Sequence, residues 1–294
     1  MNCLRRSAGQ ESEAHAMPTP KVIAIHDLSG FGRCSLTVAI PVLSAMGVQC
    51  CPLPTAWLST HTGGFTGYTF LDMTEEMARA ADHWASLGLR FEAVYSGFMG
   101  SEAQMALVSR MIGQFRAPGG IAVVDPVMGD HGVRYATYTD GMCRAMGKLC
   151  EKADVITPNL TEAAFLLDRP YEAMPQDPEG FQALAWELSG GGRRSVVLTG
   201  AYSCPEDIGA ACFDRETGRT ELLLTGRVPG EYHGTGDVFA SVLTGALVQG
   251  DSLARATQRA VDFVASCAER SHLEGIPQRE GVDFEPLLGL LTRG

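Results

Sequence analysis

The stretch that decides the fold is Tyr232-His233-Gly234-Thr235-Gly236-Asp237-Val238-Phe239-Ala240. Two glycines flank a hydroxyl residue, an acid follows, and the next apolar run predicts a buried helix that ends near Gly250. The first N–H groups of a helix lack intrahelical partners and lie at the positive end of its dipole, so such a start binds anions. Asp237 would then lie where phosphoryl charge is stabilised, close enough to take a proton from an attacking hydroxyl. A plain N-cap made by Thr235 or Asp237 is the alternative interpretation.

Composition describes an ordinary globular protein with ample core. The chain has 294 residues, of which 45% are hydrophobic and 19% are charged, and its formal net charge is −11. Such an acidic balance argues against a nucleic-acid or anionic-membrane partner, although local fields still allow a small anionic substrate. No apolar run reaches the length of a membrane span, so no membrane partner is expected.

The nine cysteines contain no Cys-x-x-Cys pair. An odd count without a secretory leader predicts reduced thiols in a cytoplasmic protein, and the spacings disfavour a zinc site. Residues 1–20 are polar and lack an apolar leader segment, so we expect a disordered N-terminal tail, with Met17 as an alternative start. Residues 21–294 are expected to form a single domain.

The first elements predict a βαβ unit. A strand over Lys21–Ile25, a glycine turn, a helix over about Ser35–Met46 and a strand over Gln49–Leu53 follow one another. Gly30-Phe31-Gly32 in the turn raises the alternative of a Rossmann dehydrogenase. That fingerprint is incomplete, because its third glycine position is Ser35 and no acid ends the second strand, which runs into two prolines.

The rest of the chain alternates strands and helices, then changes to a hairpin. Together these elements predict one α/β domain with a mostly parallel sheet, helices on both faces and an antiparallel edge. Strands are expected at Glu92–Tyr95, Ile121–Val124, Val155–Thr157 and Ser195–Leu198, and a hairpin at Ile208–Phe213 and Glu221–Leu224. Helices are expected near Thr74–Leu87, Ser101–Phe115, Leu253–Arg270 and Phe284–Leu291, a loop at Trp57–Gly67, and another at Arg169–Glu179.

Polar residues recur where predicted parallel strands end, which is the edge at which such sheets bind ligands. Asp125 and Asp130 follow one strand and could reach a metal or a phosphate, directly or through water. Asn159 and Glu162 follow the next strand at a helix start, where capping alone would also explain them. The loop that carries His61 and Thr62 is typical of ligand-binding loops, with a surface turn as the alternative.

In its motifs the chain resembles the ribokinase-like superfamily and, within it, the vitamin B6 (pyridoxal or pyridoxamine) kinases. A P-loop kinase is disfavoured because no Gly-x-x-x-x-Gly-Lys-Ser/Thr stretch exists. The resemblance runs from about Lys21 to Phe284. Beside the first glycine turn, its motifs are Ser59-Thr60-His61-Thr62-Gly63, Asp125-Pro126-Val127-Met128-Gly129-Asp130, Thr157-Pro158-Asn159-Leu160-Thr161-Glu162-Ala163 and Gly234-Thr235-Gly236-Asp237.

The resemblance implies an ATP- and Mg²⁺-dependent kinase that phosphorylates the 5′-hydroxymethyl group of a B6 vitamer. Asp237 would be the base, and Gly234, Thr235 and Gly236 the anion hole for the transferred group. Asp125 and Glu162 would handle magnesium, directly or through water. The nucleotide would contact Asp125, Asp130, Tyr135, Asn159, Glu162 and Thr199, and the acceptor would contact Asp27, His61, Thr62 and Phe98. A homodimer is implied by the family alone, and a role for K⁺ stays open.

The first turn departs from the best-known pyridoxal kinases, which have Ser where this chain has Asp27. Asp27-Leu28-Ser29-Gly30 is more similar to the hydroxymethylpyrimidine kinases of thiamine synthesis, although those usually carry Cys in place of Asp237. We hypothesise that Asp27 favours amine- or pyridinium-bearing acceptors, with a turn-forming role as the alternative. A hydroxymethylpyrimidine kinase, a sugar or nucleoside kinase, and a B6-binding protein without turnover are the other candidate functions. The roles of Arg33 and Cys34 stay open, with Cys34 favoured as a bystander.

Overall fold

The computed structural model describes residues 19–292, so nearly all of the predicted tail lies outside the described residues. The strands are β1 (Lys21–Ser29), β2 (Gln49–Leu58), β3 (Phe70–Asp72), β4 (Phe91–Ser96), β5 (Arg116–Val124), β6 (Gly129–Asp130), β7 (Val133–Arg134), β8 (Val155–Ile156), β9 (Ser195–Ala201), β10 (Asp207–Asp214) and β11 (Arg219–Gly226). The helices are α1 (Ser35–Ala45), α2 (Thr74–Ser86), α3 (Glu102–Phe115), α4 (Asp140–Cys150), α5 (Leu160–Leu166), α6 (Pro178–Leu188), α7 (Thr235–Val248) and α8 (Leu253–Leu273), with short 3₁₀ turns at Tyr171–Ala173, Gln278–Glu280 and Glu285–Leu291.

One nine-stranded sheet organises the described residues, in the order β11-β10-β9-β8-β5-β4-β1-β2-β3. The strands from β9 to β2 are parallel, whereas β10 and β11 add an antiparallel hairpin at one edge and β3 pairs antiparallel at the other. A separate ribbon of β6 and β7 stands beyond the end of β5. The parallel strands therefore all end at one edge, where their connecting loops meet.

Helices cover both faces of the sheet, because neighbouring side chains of each central strand point to opposite faces. Ile23 and Ile25 of β1 pack in the core that includes side chains of α2 to α6. Val22 and Ala24 pack in the second core, with α1, α7 and α8. Helix α7 is buried almost all round from Val238 to Ala246. The most buried helix of this layer thus delivers its first turn directly to the ligand edge.

The predicted fold class is confirmed, but two local predictions are wrong. Strand β2 does not end at its prolines and continues to Leu58. Pro52 and Pro54 are two residues apart, so both lack an N–H on the same side, and β3 pairs only from Ala56 onward on the outer edge. The strand β3 lies in a stretch for which no element was predicted. The predicted loop over Arg169–Glu179 contains a 3₁₀ turn and the start of α6, whose N-cap is Asp177.

Candidate active site

The first turn of α7 lies at the ligand edge, and its backbone requires glycine. Gly234 has φ 77°, and a Cβ there would overlap the backbone carbonyl oxygen of Arg33. Neither Thr235 nor Asp237 caps the helix, because among residues 19–292 no side chain accepts a capping hydrogen bond from the amides at this helix start. Thr235 instead donates its hydroxyl to the Tyr232 carbonyl oxygen at 3.2 Å. Within the described residues, these amides therefore stay available for an anion.

Asp237 follows in the same turn, largely buried with 17% of its side chain exposed. Burial raises the pKa of its carboxyl to about 7, and the nearby charge of Asp27 adds to the rise. The backbone N–H of Ser35 acts in the opposite direction and lowers this pKa. A carboxyl whose pKa lies near neutrality can accept a proton from an alcohol and release it again, which is what general-base catalysis needs.

The glycine turn after β1 is held by Asp27, which is buried. Its carboxylate accepts hydrogen bonds from the hydroxyls of Ser29, at 2.7 Å, and Ser35. Ser35 has φ 51°, an uncommon value for a residue with a side chain, so the bond to Asp27 helps to fix a strained start of α1. Burial raises the pKa of Asp27, and the two hydroxyls lower it. The turn-forming role thus has direct contacts, and an acceptor would have to compete with both hydroxyls.

Asp125 directly follows β5 and is buried. Burial and the Asp237 charge raise its pKa to about 8, whereas a 2.9 Å hydrogen bond from the Thr157 hydroxyl lowers it. Glu162 is buried too, and burial together with Asp125 raises its pKa well above the usual range. Buried carboxylates that repel one another are typical of sites built for a cation.

Asn159 and Glu162 cap α5 and tie it to the loop after β5. Each accepts a 2.9 Å hydrogen bond from the backbone N–H of the other, which forms a capping box. Glu162 also accepts from the Met128 N–H at 3.1 Å, and the Asn159 amide donates to the Gly129 carbonyl oxygen at 3.0 Å. The two side chains that cap α5 therefore also hold the loop after β5 at the candidate site.

The residues fit magnesium that is held largely through water and phosphate. Asp125 and Glu162 supply carboxylate oxygens, the ligand type that Mg²⁺ prefers. Both Glu162 oxygens already accept backbone hydrogen bonds, which disfavours direct contact at this residue. Among residues 19–292 no group of three or more His, Cys, Asp or Glu side chains is placed to hold a metal alone.

The β6–β7 ribbon places the remaining nucleotide candidates above this edge. Asp130 is exposed and accepts the His131 N–H at 2.9 Å. The His131 ring lies 3.6 Å from Asp130 and 3.5 Å from Glu231, so the ribbon touches the loop before α7. Tyr135 is 39% exposed, and partial burial with the charge of Glu162 raises its pKa. Asp125 is therefore buried at the sheet edge, whereas Asp130 is exposed on the β6–β7 ribbon.

In the loop after β2, both ring nitrogens of His61 contact backbone atoms of the protein, so neither is free for an acceptor. His61 is buried, with Nε2 2.7 Å from the Arg279 carbonyl oxygen and Nδ1 accepting the Gly63 N–H at 3.1 Å. This pattern describes a neutral Nε2–H imidazole whose nitrogens are both used within the protein. Its ring also contacts Phe65, at 5.0 Å between centroids, and His233, at 5.1 Å. His61 therefore shapes the loop.

Three other candidates are less tightly placed. Thr62 lies in the same loop with its side chain exposed, and Phe98 is half-buried with its ring 6.3 Å from that of Tyr138. Thr199, at the end of β9, donates its backbone N–H to the Pro158 carbonyl oxygen at 2.9 Å. Its side chain is half-buried at the same sheet edge. All three reach the correct edge of the fold, but their roles stay predictions.

Arg33 and Cys34 receive structural explanations. The Arg33 guanidinium pairs with Asp283 and Glu285, at 2.8 Å each, so it anchors the first turn to the C-terminal segment. Burial and two carboxylates, Asp27 and Asp237, raise the pKa of the Cys34 thiol well above its ordinary value. A thiol in that state is a poor nucleophile, which agrees with a bystander role.

Sequence reasoning missed His26, next to Asp27 on β1. It is fully buried, and its Nδ1 lies 3.9 Å from Oδ1 of Asp237. The available signal was periodicity: residues 22, 24 and 26 share one face of the strand, so a histidine falls on an otherwise apolar stripe. A polar side chain at such a position needs an explanation.

Comparison with known proteins identifies the family. A family model described as phosphomethylpyrimidine kinase matches residues 38–278. The chain belongs to this family. A pyridoxine/pyridoxal/pyridoxamine kinase of Bordetella bronchiseptica is 31% identical over 266 residues, which cover 86% of this chain and 90% of the relative. The family excludes the Rossmann dehydrogenase alternative.

Two solved structures are similar over almost the whole chain. One, from Bacteroides thetaiotaomicron, is provisionally described as a phosphomethylpyrimidine kinase in a crystal form with pyridoxal. It is 42% identical with a TM-score of 0.87 and covers 93% of this chain and 96% of that one. The other is pyridoxal kinase from Lactobacillus plantarum, 32% identical with a TM-score of 0.84, covering 92% and 96%. The resemblance to vitamin B6 kinases and the ribokinase-like fold class are confirmed.

Proposed function

We propose that this protein is an ATP- and magnesium-dependent kinase that phosphorylates the 5′-hydroxymethyl group of pyridoxal, pyridoxamine or pyridoxine. One observation carries the proposal: Asp237, with a pKa near 7, lies in the first turn of a helix whose amides carry no side-chain cap. The relatives named as B6 kinases supply the acceptor class.

In the proposed reaction, the acceptor hydroxyl attacks the terminal phosphorus of ATP, the bond from that phosphorus to the bridging oxygen breaks and ADP leaves, and Asp237 takes the proton of the hydroxyl. The backbone N–H groups of Gly234, Thr235 and Gly236 stabilise the charge on the transferred phosphoryl group. These amides act through fixed dipoles, and Gly234 allows the close approach that they need. Positioning and electrostatics therefore supply most of the rate enhancement.

Asp125 and Glu162 would hold magnesium, largely through water. When bound, the ion supplies positive charge that offsets the phosphate oxygens and the buried carboxylates. Asn159 and Thr199 would border the phosphate path at the ends of β8 and β9. Asp130 and Tyr135, on and beside the β6–β7 ribbon, would cover the nucleotide.

For the acceptor, we propose contacts with Thr62 and Phe98, in a pocket shaped by His61. Asp27 would influence acceptor choice through the turn that it holds. A more direct role would be an ion pair between its carboxylate and the amine or pyridinium of the acceptor. Comparing the vitamer preference of Asp27→Ser with that of the parent tests this part. An unchanged ranking of pyridoxal, pyridoxamine and pyridoxine would contradict any influence of Asp27.

The test of the function is ADP release by the purified protein with Mg-ATP and a panel of acceptors. The panel contains pyridoxal, pyridoxamine, pyridoxine, hydroxymethylpyrimidine and ribose, with Asp237→Asn as the control. Turnover of the B6 vitamers that the control abolishes is the expected result. Ribose turnover alone would indicate a sugar kinase, and pyridoxal binding without ADP release would indicate a carrier protein.

Hydroxymethylpyrimidine phosphorylation is the second candidate function. The matching family model carries the phosphomethylpyrimidine kinase description, and the Asp27 turn resembles that group. Turnover of the pyrimidine alone in the same panel would favour it.

The wider assignment is also part of the proposal. We place the protein in the cytoplasm as a homodimer with a single kinase domain over residues 21–294, and with K⁺ as a further ion to be tested. One continuous sheet supports the single domain, and the eight cysteines of the described part are free thiols. No helix among residues 19–292 is long and apolar enough to cross a membrane.

A further inference from the structure

His26 is a buried polar side chain that the proposed reaction does not yet use. It is 0% exposed and continues the stripe of Val22 and Ala24 into the layer that contains α7. Neither ring nitrogen has a hydrogen-bond partner within the described residues. Since nearly all buried polar atoms are paired, an apolar side chain of similar size would stabilise this position better. The imidazole is therefore retained at a cost in stability.

The surroundings of His26 are shaped to accept its ring. A Cβ at Gly97 would overlap the imidazole, so the glycine leaves the necessary space. The Tyr95 ring packs against it edge-on, at 4.3 Å between centroids and an interplanar angle of 69°. These contacts fix the ring, whose Nδ1 lies 3.9 Å from Oδ1 of Asp237.

The distance exceeds a hydrogen bond by about 1 Å. Catalytic hydrogen bonds are often long in a protein without its substrates and tighten when the complex forms. A small rotation of the Asp237 side chain is sufficient to close such a gap. Burial lowers the pKa of His26 to about 3, so the ring stays neutral and offers one N–H donor.

We propose that His26 is a positioning residue whose Nδ1–H donates to Oδ1 of the ionised Asp237, so that the other oxygen faces the acceptor hydroxyl. The inference rests on the proposed role of Asp237 as the base. A neutral donor favours the carboxylate form without adding a full positive charge, so Asp237 stays basic enough to take the proton.

Other groups contribute to the titration of Asp237, so the pH test must separate them from His26. Asp27 raises the pKa of Asp237 directly, and Asp237 in turn influences the pKa values of several neighbours. These neighbours are Cys34, Tyr95, Asp125 and Tyr135. Replacements at His26 leave all of them in place, so a change in the pH profile reports on the imidazole.

The experiment compares His26→Leu and His26→Met with His26→Asn, which keeps an amide donor. We expect the apolar variants to lose about 10- to 100-fold in kcat, the rate equivalent of one hydrogen bond to a charged group. KM for Mg-ATP should change less than about threefold, and the acidic limb of the kcat/KM profile should move up by about one pH unit. His26→Asn should recover most of kcat and the original limb. Apolar variants with parental kcat and an unchanged limb would overturn the inference.

A second readout requires no substrate. The ¹³C signal of the Asp237 carboxyl, titrated by NMR, should give a higher pKa in His26→Leu than in the parent. Equal values would contradict the contact. If the parent protein turns over no acceptor in the panel, the proposed function fails, while this titration still decides whether His26 donates a hydrogen bond to Asp237.

Discussion

Replacing Asp237 by Asn removes the proposed base while keeping its size and shape. The side chain is largely buried, and burial raises its pKa to about 7, so the neutral amide resembles the protonated carboxyl that the fold already tolerates. We therefore expect a folded variant that binds Mg-ATP with a parental KM. Losing a general base should lower kcat by about 10²- to 10⁴-fold. At about 1.36 kcal/mol for each factor of ten, this raises the barrier by about 3 to 5 kcal/mol.

The role of Asp237 as a base also predicts how the rate changes with pH. Asp237 acts only when ionised, so kcat/KM of the parent should rise with pH through the region of about 7, at low magnesium. Bound magnesium adds positive charge that favours the carboxylate, so raising its concentration should move this limb to lower pH. In the Asn variant the limb should disappear from the residual activity.

The assay is coupled ADP release with pyridoxal as acceptor, between about pH 5.5 and 9. Asp262→Asn, an exposed change on α8, is the matched control and should keep the parental rate. Asp237→Asn activity above about one tenth of the parent would refute the role of Asp237 as the base. A limb that persists unchanged in the variant would refute the pH argument and assign the titration to Asp125, whose pKa is raised to about 8.

Three further predictions concern stability. Since the folded state raises the pKa of Asp125 to about 8, the folded protein binds more protons than the unfolded chain between about pH 4 and 8, and its stability falls as pH rises through that window. Asp125→Asn should reduce the pH dependence of stability and raise Tm at pH 8, without ligands, by about 2 to 5 °C, which corresponds to a pKa difference of about one unit. An equal gain in Tm at pH 4 would contradict the reasoning. Gly234→Ala would place a side chain at φ 77° and against a backbone carbonyl oxygen. Calorimetry should therefore show a lower Tm, and the ADP-release assay should show a lower rate. Parental values for both would show that the turn accommodates the methyl group. Arg33→Ala loses its pair with Asp283 and should cost about 1 kcal/mol, measured by urea unfolding, whereas the exposed Arg79→Ala should change nothing measurable, and equal effects would remove the proposed anchor.

The sequence predicted the architecture well because strand and helix periodicity act locally. The predicted apolar stretches of β1 and β5 and the buried pattern of α7 are present in the structure, although β1 extends to Ser29 and β5 begins at Arg116, so both strands are longer than predicted. Parallel crossovers place the carboxyl ends of the strands at one edge of the sheet, so the ligand edge could be predicted from the sequence although the strand order could not. The prolines of β2 misled the prediction, because a proline ends a strand only where its missing N–H would face a neighbour.

The site was less predictable because its contacts depend on which loops meet. Nothing in the sequence shows that Arg33 pairs with Asp283, 250 residues away, or that His61 spends both ring nitrogens on backbone atoms. Capping signals were read correctly at Asn159 and Glu162, but their second function as tethers of the preceding loop required the fold. Local signals thus locate a site, and long-range contacts decide which side chains stay free to act.

Long-range contacts between buried carboxyls also bear on how an acidic protein can bind a highly anionic nucleotide. Asp125, Glu162 and Asp237 meet at the ligand edge, and burial and neighbouring carboxylates raise the pKa of each. A phosphate alone would meet repulsion there. In the proposed reaction, Asp125 and Glu162 would hold magnesium, and the ion would supply positive charge that favours the ionised form of the nearby carboxyls, including Asp237. We therefore expect these carboxyls to favour the magnesium-bound nucleotide over the free nucleotide, and we expect Asp237 to be ionised in that complex.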